Sequence, residues 1–258
     1  MLSMTVMVYD IETVPDIENC RRLYNLEGCT DDMVYDAVIS TRLQTHNNEF
    51  LPLHLHKIVA ISVVVANKDF VKVWSLGTEN AAEVQLIERF YSGLEQYIPT
   101  LVSWNGKGFD MPVLHYRSML HKVQASLYWD MGEQDSTFKW NNYVNRYHTR
   151  HLDIMDVLSS YQKNACIGLD ALSELLHFPG KMGMKGNKVW ACYQAGEIKA
   201  IRHYCETDVL NTYLLYLRFQ WMRGQLTPET YQFEQIRLKE YLANSPKTHL
   251  QEFLKLWN

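Results

Sequence analysis

The chain has 258 residues, 47% of them hydrophobic and 21% charged, enough apolar material for a sizeable core and too much for a disordered or low-complexity chain. Its formal net charge of −4 and pI near 6.2 speak against a passive nucleic-acid coat, which is normally basic, but not against an enzyme whose bound cations bring positive charge to the site. Five scattered cysteines with no CxxC pair speak against a disulfide framework or a zinc site and fit free thiols in a reducing compartment.

The first residues, MLSMTVMVYDIET, lack a basic start, and Asp10 and Glu12 interrupt their apolar run, so no signal peptide is expected. Residues 5–9 are a short β-prone run that ends in the acidic DIET. A helix is expected over 31–43 with Asp31 as its N-cap. The Ile- and Val-rich residues 57–66 read as a buried strand, and Asn67-Lys68-Asp69 turns it into a second strand over 70–76. The apolar run 58–66 falls far short of the roughly 18 residues of a membrane span, which with the thiols points to a soluble cytoplasmic protein that does not enter a membrane. Residues 80–98 have helical periodicity through Val84, Ile87, Phe90, Tyr91, Leu94 and Ile98, and Pro99 stops the helix. Residues 101–104 form another short strand, and Pro112 occupies the first turn of a helix that runs to about 122.

Residues 124–150 are polar and aromatic without a clear period, the pattern of a long loop or partly ordered insertion. From His151 onward the pattern is helical: 154–162, 169–176, then a long helix over 198–222. Pro228 and Pro246 punctuate two further amphipathic helices, carrying Tyr231, Ile236, Leu238 and Leu242, then Leu250, Phe253, Leu254 and Trp257. Strands with a hairpin, then strand–helix alternation, then a helical half suggest an α/β fold with a mixed sheet flanked by helices. We expect one domain over 1–224 and a helical extension over 225–258 that packs on it or on a partner.

Three short clusters carry the chemistry. Asp10 and Glu12 are two apart on a strand, so both point to one face. Such a pair repels itself unless a cation or shared proton intervenes, although an isolated DxE is also an ordinary solvated strand end. Asp110 closes Asn105-Gly106-Lys107-Gly108-Phe109-Asp110-Met111-Pro112, which follows a strand and opens a helix; alone it would be an N-capping Asp. Tyr204 and Asp208 in YCETD are four apart on a helix and share a face, where packing is the bland alternative.

Taken in order, DIET at 10–13, NGKGFDMP at 105–112 and YCETD at 204–208 resemble the DEDD superfamily of 3′-5′ exonucleases, in particular the stand-alone relatives of the proofreading exonuclease domain of family B DNA polymerases. HLDIMD at 151–156 and GLDALSELL with the following FPGKMGMKGNKVW also resemble stretches of these proteins, so the likeness spans residues 10 to about 218. It implies a ribonuclease H-like fold with a five-stranded mixed sheet, the first three strands antiparallel and the others parallel to the first. It implies that Asp10, Glu12, Asp110 and Asp208 hold two divalent ions, Mg2+ or Mn2+, which suit hard oxygen donors. Two such ions about 3.5–4 Å apart can activate water and stabilise the leaving oxygen. The product implied is a nucleoside 5′-monophosphate.

Tyr204 matches the water-orienting position of the tyrosine branch, while His203 has the spacing of the histidine branch. Continuous helix up to Tyr204 and the NGxxFD cluster favour tyrosine. Thr13 and Asn105 match positions that touch the terminal nucleotide, and Phe109 is a stacking or wedge candidate. Asp153 is either a supporting carboxylate or a helix N-cap. Lys181, Lys185 and Lys188 lie in a Gly-containing loop that either meets phosphates or is merely solvated. The partner implied is a nucleic-acid 3′ end, single-stranded DNA favoured slightly over RNA, and the sequence names no protein partner. A non-catalytic binding protein or scaffold on the same fold is the alternative.

Overall fold

The computed structural model describes residues 4–257 apart from 181 and 185. Five strands, β1 (Val6–Pro15), β2 (His56–Ala66), β3 (Val71–Ser75), β4 (Thr100–Ser103) and β5 (His151–Asp153), form one sheet in the order β3-β2-β1-β4-β5. β1–β2 and β2–β3 are antiparallel, and β1–β4 and β4–β5 are parallel. This is the five-stranded mixed sheet of a ribonuclease H-like α/β fold.

Both faces of the sheet are buried, which is why its central strands read as near-continuous apolar runs. On β1, Val6 and Val8 enter the core beneath the long helix α9 (Ile198–Met222). The alternate residues Met7, Tyr9 and Ile11 enter a second core with α3 (Glu83–Tyr97) and α4 (Asp110–His121). α10 (Pro228–Ala243) and α11 (Thr248–Leu256) bury Leu238, Leu242, Leu250, Phe253 and Trp257 in the same core as α9. The remaining helices are α1 (Ile17–Leu23), α2 (Asp31–His46), α5 (Ser126–Trp129), α6 (Ile154–Leu158), α7 (Leu169–Leu175) and α8 (Val189–Gln194). Among the described residues no helix is long and apolar enough to cross a membrane, and all five cysteines are free.

Several elements differ from expectation. β1 carries Asp10 and Glu12 as expected but runs beyond them to Pro15, because β2 pairs with it along its whole length, Asp10 opposite Ser62 and Glu12 opposite Ala60. The N-cap of α2 is Thr30, whose hydroxyl accepts the Met33 amide, and not Asp31. Residues 151–153 form a strand where a helix was expected to begin. The segment 124–150 is anchored and not a loose loop. Tyr128, Phe138 and Tyr143 sink into the α3–α4 core, the Tyr143 hydroxyl donates to the Pro99 carbonyl at 2.7 Å, and the Asp130 carboxylate accepts four successive amides from Gly132 to Asp135.

The outer edge of β3 is covered by side chains. The Tyr241 hydroxyl of α10 both accepts from the Val73 amide and donates to its carbonyl at 3.2 Å, and Arg202 of α9 donates to the Ser75, Leu76 and Gly77 carbonyls. Glu206 of α9 accepts from the Ser75 amide and hydroxyl at 2.9 and 2.8 Å, from Lys247 at 2.9 Å and from His249 at 2.8 Å. Burial opposes its charge, but the bonds from His249, Lys247 and Ser75 outweigh that and hold the carboxyl at about 2.

Candidate active site

The site forms where β1 outruns its parallel neighbour. β4 pairs with β1 only over Val6, Met7 and Val8, so among the described residues the C-terminal half of β1 has no strand on that side, the kind of crevice at strand carboxyl ends where α/β sheets bind ligands. Asp10 and Glu12 continue the Val6–Val8 face, which looks toward α9, and Val14 beyond them packs with Tyr204 and Cys205.

From one side α9 closes on this pair. The Cys205 thiol donates to the Asp10 carbonyl at 3.4 Å and to its carboxylate at 3.5 Å, and ligand atoms of Asp10, Glu12 and Cys205 all lie within 4.8 Å of one another. Tyr204, one residue before Cys205, donates to Asp208; burial, then the charges of Asp208, Glu12 and Asp10, push its hydroxyl far above the usual phenol range. Burial likewise keeps Cys205 a neutral thiol.

From the other side α4 fills the gap left by β4. Asp110 opens that helix, and its Oδ1 accepts the amide of Ile11, the residue between the two β1 acids, at 3.1 Å. Burial raises Asp110 to about 7, against the opposing bond from Ile11 and with some help from the Asp153 charge. The structure therefore brings the Asp110 carboxylate of α4 and the Cys205 thiol of α9 to one stretch of three residues, 10–12, with Asp208 tied to it through Tyr204.

The loop that delivers Asp110 is held by Asp153. Its carboxylate accepts the Asn105 amide at 3.0 Å and the Lys107 amide at 2.9 Å, and it also caps α6 through the Asp156 amide. Both sequence readings of Asp153 thus describe one side chain. Asn105 sits at a φ of 63°, a left-handed turn that asparagine tolerates. At Gly106 a Cβ would stand 2.7 Å from the Tyr9 hydroxyl and also collide with Ser103, two side chains that share the buried His151 imidazole. Gly106→Ala is expected to cost about 1–3 kcal/mol, a melting point about 2–12 °C lower by calorimetry.

Thr13 and Phe109 meet through a residue that sequence reasoning missed. His56 Nε2 lies 3.2 Å from the Leu51 carbonyl and Nδ1 lies 2.9 Å from the Thr13 hydroxyl. The carbonyl needs a donor, so Nε2 carries the proton and Nδ1 accepts from Thr13. The His56 ring stands edge-on to Phe109 at 5.2 Å, with Phe50 5.2 Å from His56 and 5.8 Å from Phe109. His203 is directed elsewhere, stacked on His249 at 3.8 Å. Lys181 and Lys185 lie outside the described residues, and Lys188 is exposed. Cys205 was readable in principle, being three residues before Asp208 on the same helical face.

A protein-family model described as a predicted 3′-5′ exonuclease related to the exonuclease domain of PolB matches residues 48–257. The match takes in Asp110, Tyr204 and Asp208 and begins after Asp10 and Glu12, which geometry alone joins to the others. No curated protein matches the chain significantly.

Proposed function

The chain belongs to the family of predicted 3′-5′ exonucleases related to the exonuclease domain of PolB, and from that premise we propose that it removes nucleotides singly from the 3′ end of a strand with the help of two divalent cations. The observation that carries this reading is the approach of α4 and α9, from opposite sides, to the Asp10–Glu12 segment of β1.

The residues present fit such cations. Asp110 is buried at a cost that a nearby positive charge would relieve, and Asp10 and Glu12 lie close enough to share a ligand. Asp10, Glu12, Asp110 and Asp208 offer hard oxygen donors, the kind Mg2+ and Mn2+ take. When bound, the cations supply charge against the negative charge that builds on the phosphate and acidify water nearby. Water attacks the last phosphorus, the bond to the preceding 3′ oxygen breaks, that oxygen takes up a proton, and a nucleoside 5′-monophosphate leaves.

Tyr204 stays protonated, so its hydroxyl orients the attacking water and does not serve as a phenolate base. Phe109, backed by His56 and Phe50, offers an aromatic shelf for the terminal base. Thr13 has spent its proton on His56, so it meets the nucleotide as an acceptor. Asn105 is the other residue we assign to the terminal nucleotide, and DNA is the favoured substrate by a small margin over RNA. We take residues 1–224 as the catalytic unit and 225–258 as its cap, and the free thiols fit a cytoplasmic setting.

Digestion of end-labelled single- and double-stranded DNA and RNA tests the reading. Activity should vanish in chelator and return with Mg2+ or Mn2+. At about 100 times its dissociation constant a bound ion should add about 2.7 kcal/mol to stability, measured as a shift in melting. An absence of ion binding by calorimetry would instead favour a scaffold. Tyr204→Phe should lower kcat about a hundredfold by misplacing the water, whereas His203→Ala should leave it nearly unchanged. The reverse order would move the chain to the histidine branch.

A further inference from the structure

A cleft of about 390 Å3 opens between the first turn of α4, α5 and the chain over 144–163, within the range of ligand sites. Gly108 lines it and is joined to Asp110 by at most about 7 Å of backbone, so the cleft begins at the loop that delivers Asp110. One wall is aromatic. Trp129 is 50% exposed, and its ring lies 4.7 Å from that of His115, which burial holds neutral by lowering it to about 4.

The other wall is cationic. Lys107, Arg146 and Lys163 line the cleft with one carboxylate, Asp156, which Arg146 already engages through two bonds of 2.8 and 2.7 Å, while Asp153 lies behind Lys107 and is taken up by the Asn105 and Lys107 amides. The Lys107 ammonium carries three hydrogens, and the Asn145 and Arg146 carbonyls take two of them. Its burial, which lowers it to about 8 against the pull of Asp153 and Asp156, would be offset by an anion in the cleft. In a chain of net charge −4 this is a local cationic excess. Among the described residues no Asn or Gln lines the cleft, and an aromatic face beside cations offers stacking plus phosphate attraction.

We propose that this cleft binds the single strand upstream of the terminal nucleotide, a base against Trp129 and its phosphates on Lys107 and Lys163. The inference deepens the exonuclease reading and rests on it for the direction of the strand. It makes the protein selective for single strands, since a base paired in a duplex cannot lie on the Trp129 face.

The test uses fluorescein-labelled thymidine 5′-monophosphate and a labelled oligothymidylate of eight nucleotides, with chelator present, read by anisotropy. Lys163→Glu alters an exposed side chain and should fold normally; Trp129→Ala is the second variant. Each should weaken binding of the longer strand about tenfold and leave the mononucleotide, which has no upstream residue to enter the cleft, bound as before. Unchanged affinity for the longer strand, or equal loss at both lengths, overturns the proposal. Digestion of the labelled 8-mer by the unaltered protein in Mg2+ is scored separately. If digestion fails while the length-dependent loss holds, the exonuclease reading falls and the cleft stands; digestion without that loss does the opposite.

Discussion

Asp10→Ala is expected to abolish release of nucleotides from 3′-ended single strands while leaving the fold intact. Asp10 sits where the Cys205 thiol and Glu12 converge, and losing the cation ligand proposed there should forfeit several kcal/mol of transition-state stabilisation, more than about a thousandfold in kcat. Stability should move the other way. Asp10 and Glu12 share a strand face, and without cations two neighbouring carboxylates repel each other. In chelator the variant should therefore melt no lower than the parent, and it should lose the rise in melting temperature that Mg2+ or Mn2+ brings. A variant that digests at the parental rate would end the assignment.

Arg117→Met should give the largest loss of stability. Arg117 lies between Asp16, the N-cap of α1, and Glu83, the first residue of α3; the three are 3%, 4% and 7% exposed. Its Nε donates to Glu83 at 2.8 Å and its Nη1 to Asp16, while Glu83 also accepts the Ile58 amide of β2 at 2.6 Å. Removing the cation leaves two buried carboxylates, a cost of about 3–5 kcal/mol and about 6–20 °C in melting temperature for a chain of this size. Replacing all three with apolar residues should recover much of it.

Acid should separate the parent from the Arg117 variant. Burial would raise Asp16, but bonds from Asn19 and Arg117 outweigh it and hold the carboxyl below its ordinary range. A depressed folded-state pKa stabilises above the unfolded pKa, and that contribution is lost as pH falls through the folded value. The parent should thus lose stability on acidification below the ordinary carboxylate range. Without Arg117 a large part of the opposition to burial is gone, so the acid limb should flatten or invert. Denaturant titrations between about pH 2 and 7 would read this difference, with about 1.4 kcal/mol for each tenfold change in the proton affinity of the carboxylate.

Long periodic elements were legible from sequence. The bounds of α9 match the expected 198–222, because 25 residues of uninterrupted helical pattern leave little ambiguity. The β2–β3 hairpin was equally plain from its Val-rich runs and the turn between them. β5 was missed because three residues, His-Leu-Asp, are too few for an alternation to register. The 124–150 segment read as loose because Tyr128, Phe138 and Tyr143 anchor it at irregular spacing. Within the candidate site, the sequence named the acids and Tyr204, but it could not reveal contacts across many residues. The bond from Thr13 to His56 and the hold of Asp153 on the 105–107 amides are tertiary contacts with no local signature.

Glu206 stands between Tyr204 and Asp208 in the chain, and two residues along a helix is about 200° around its axis. It therefore points backward, where Ser75, Lys247 and His249 clasp it. That clasp ties the back of α9 to β3 and to the start of α11, with the hydroxyl and carboxylate on the opposite face. Replacing Lys247 and His249 with alanine would alter no side chain of the carboxylate pocket, yet it is expected to loosen the aim of the front of the helix. A lesion near the tail of the chain would then appear as failed chemistry in a protein that still looks folded.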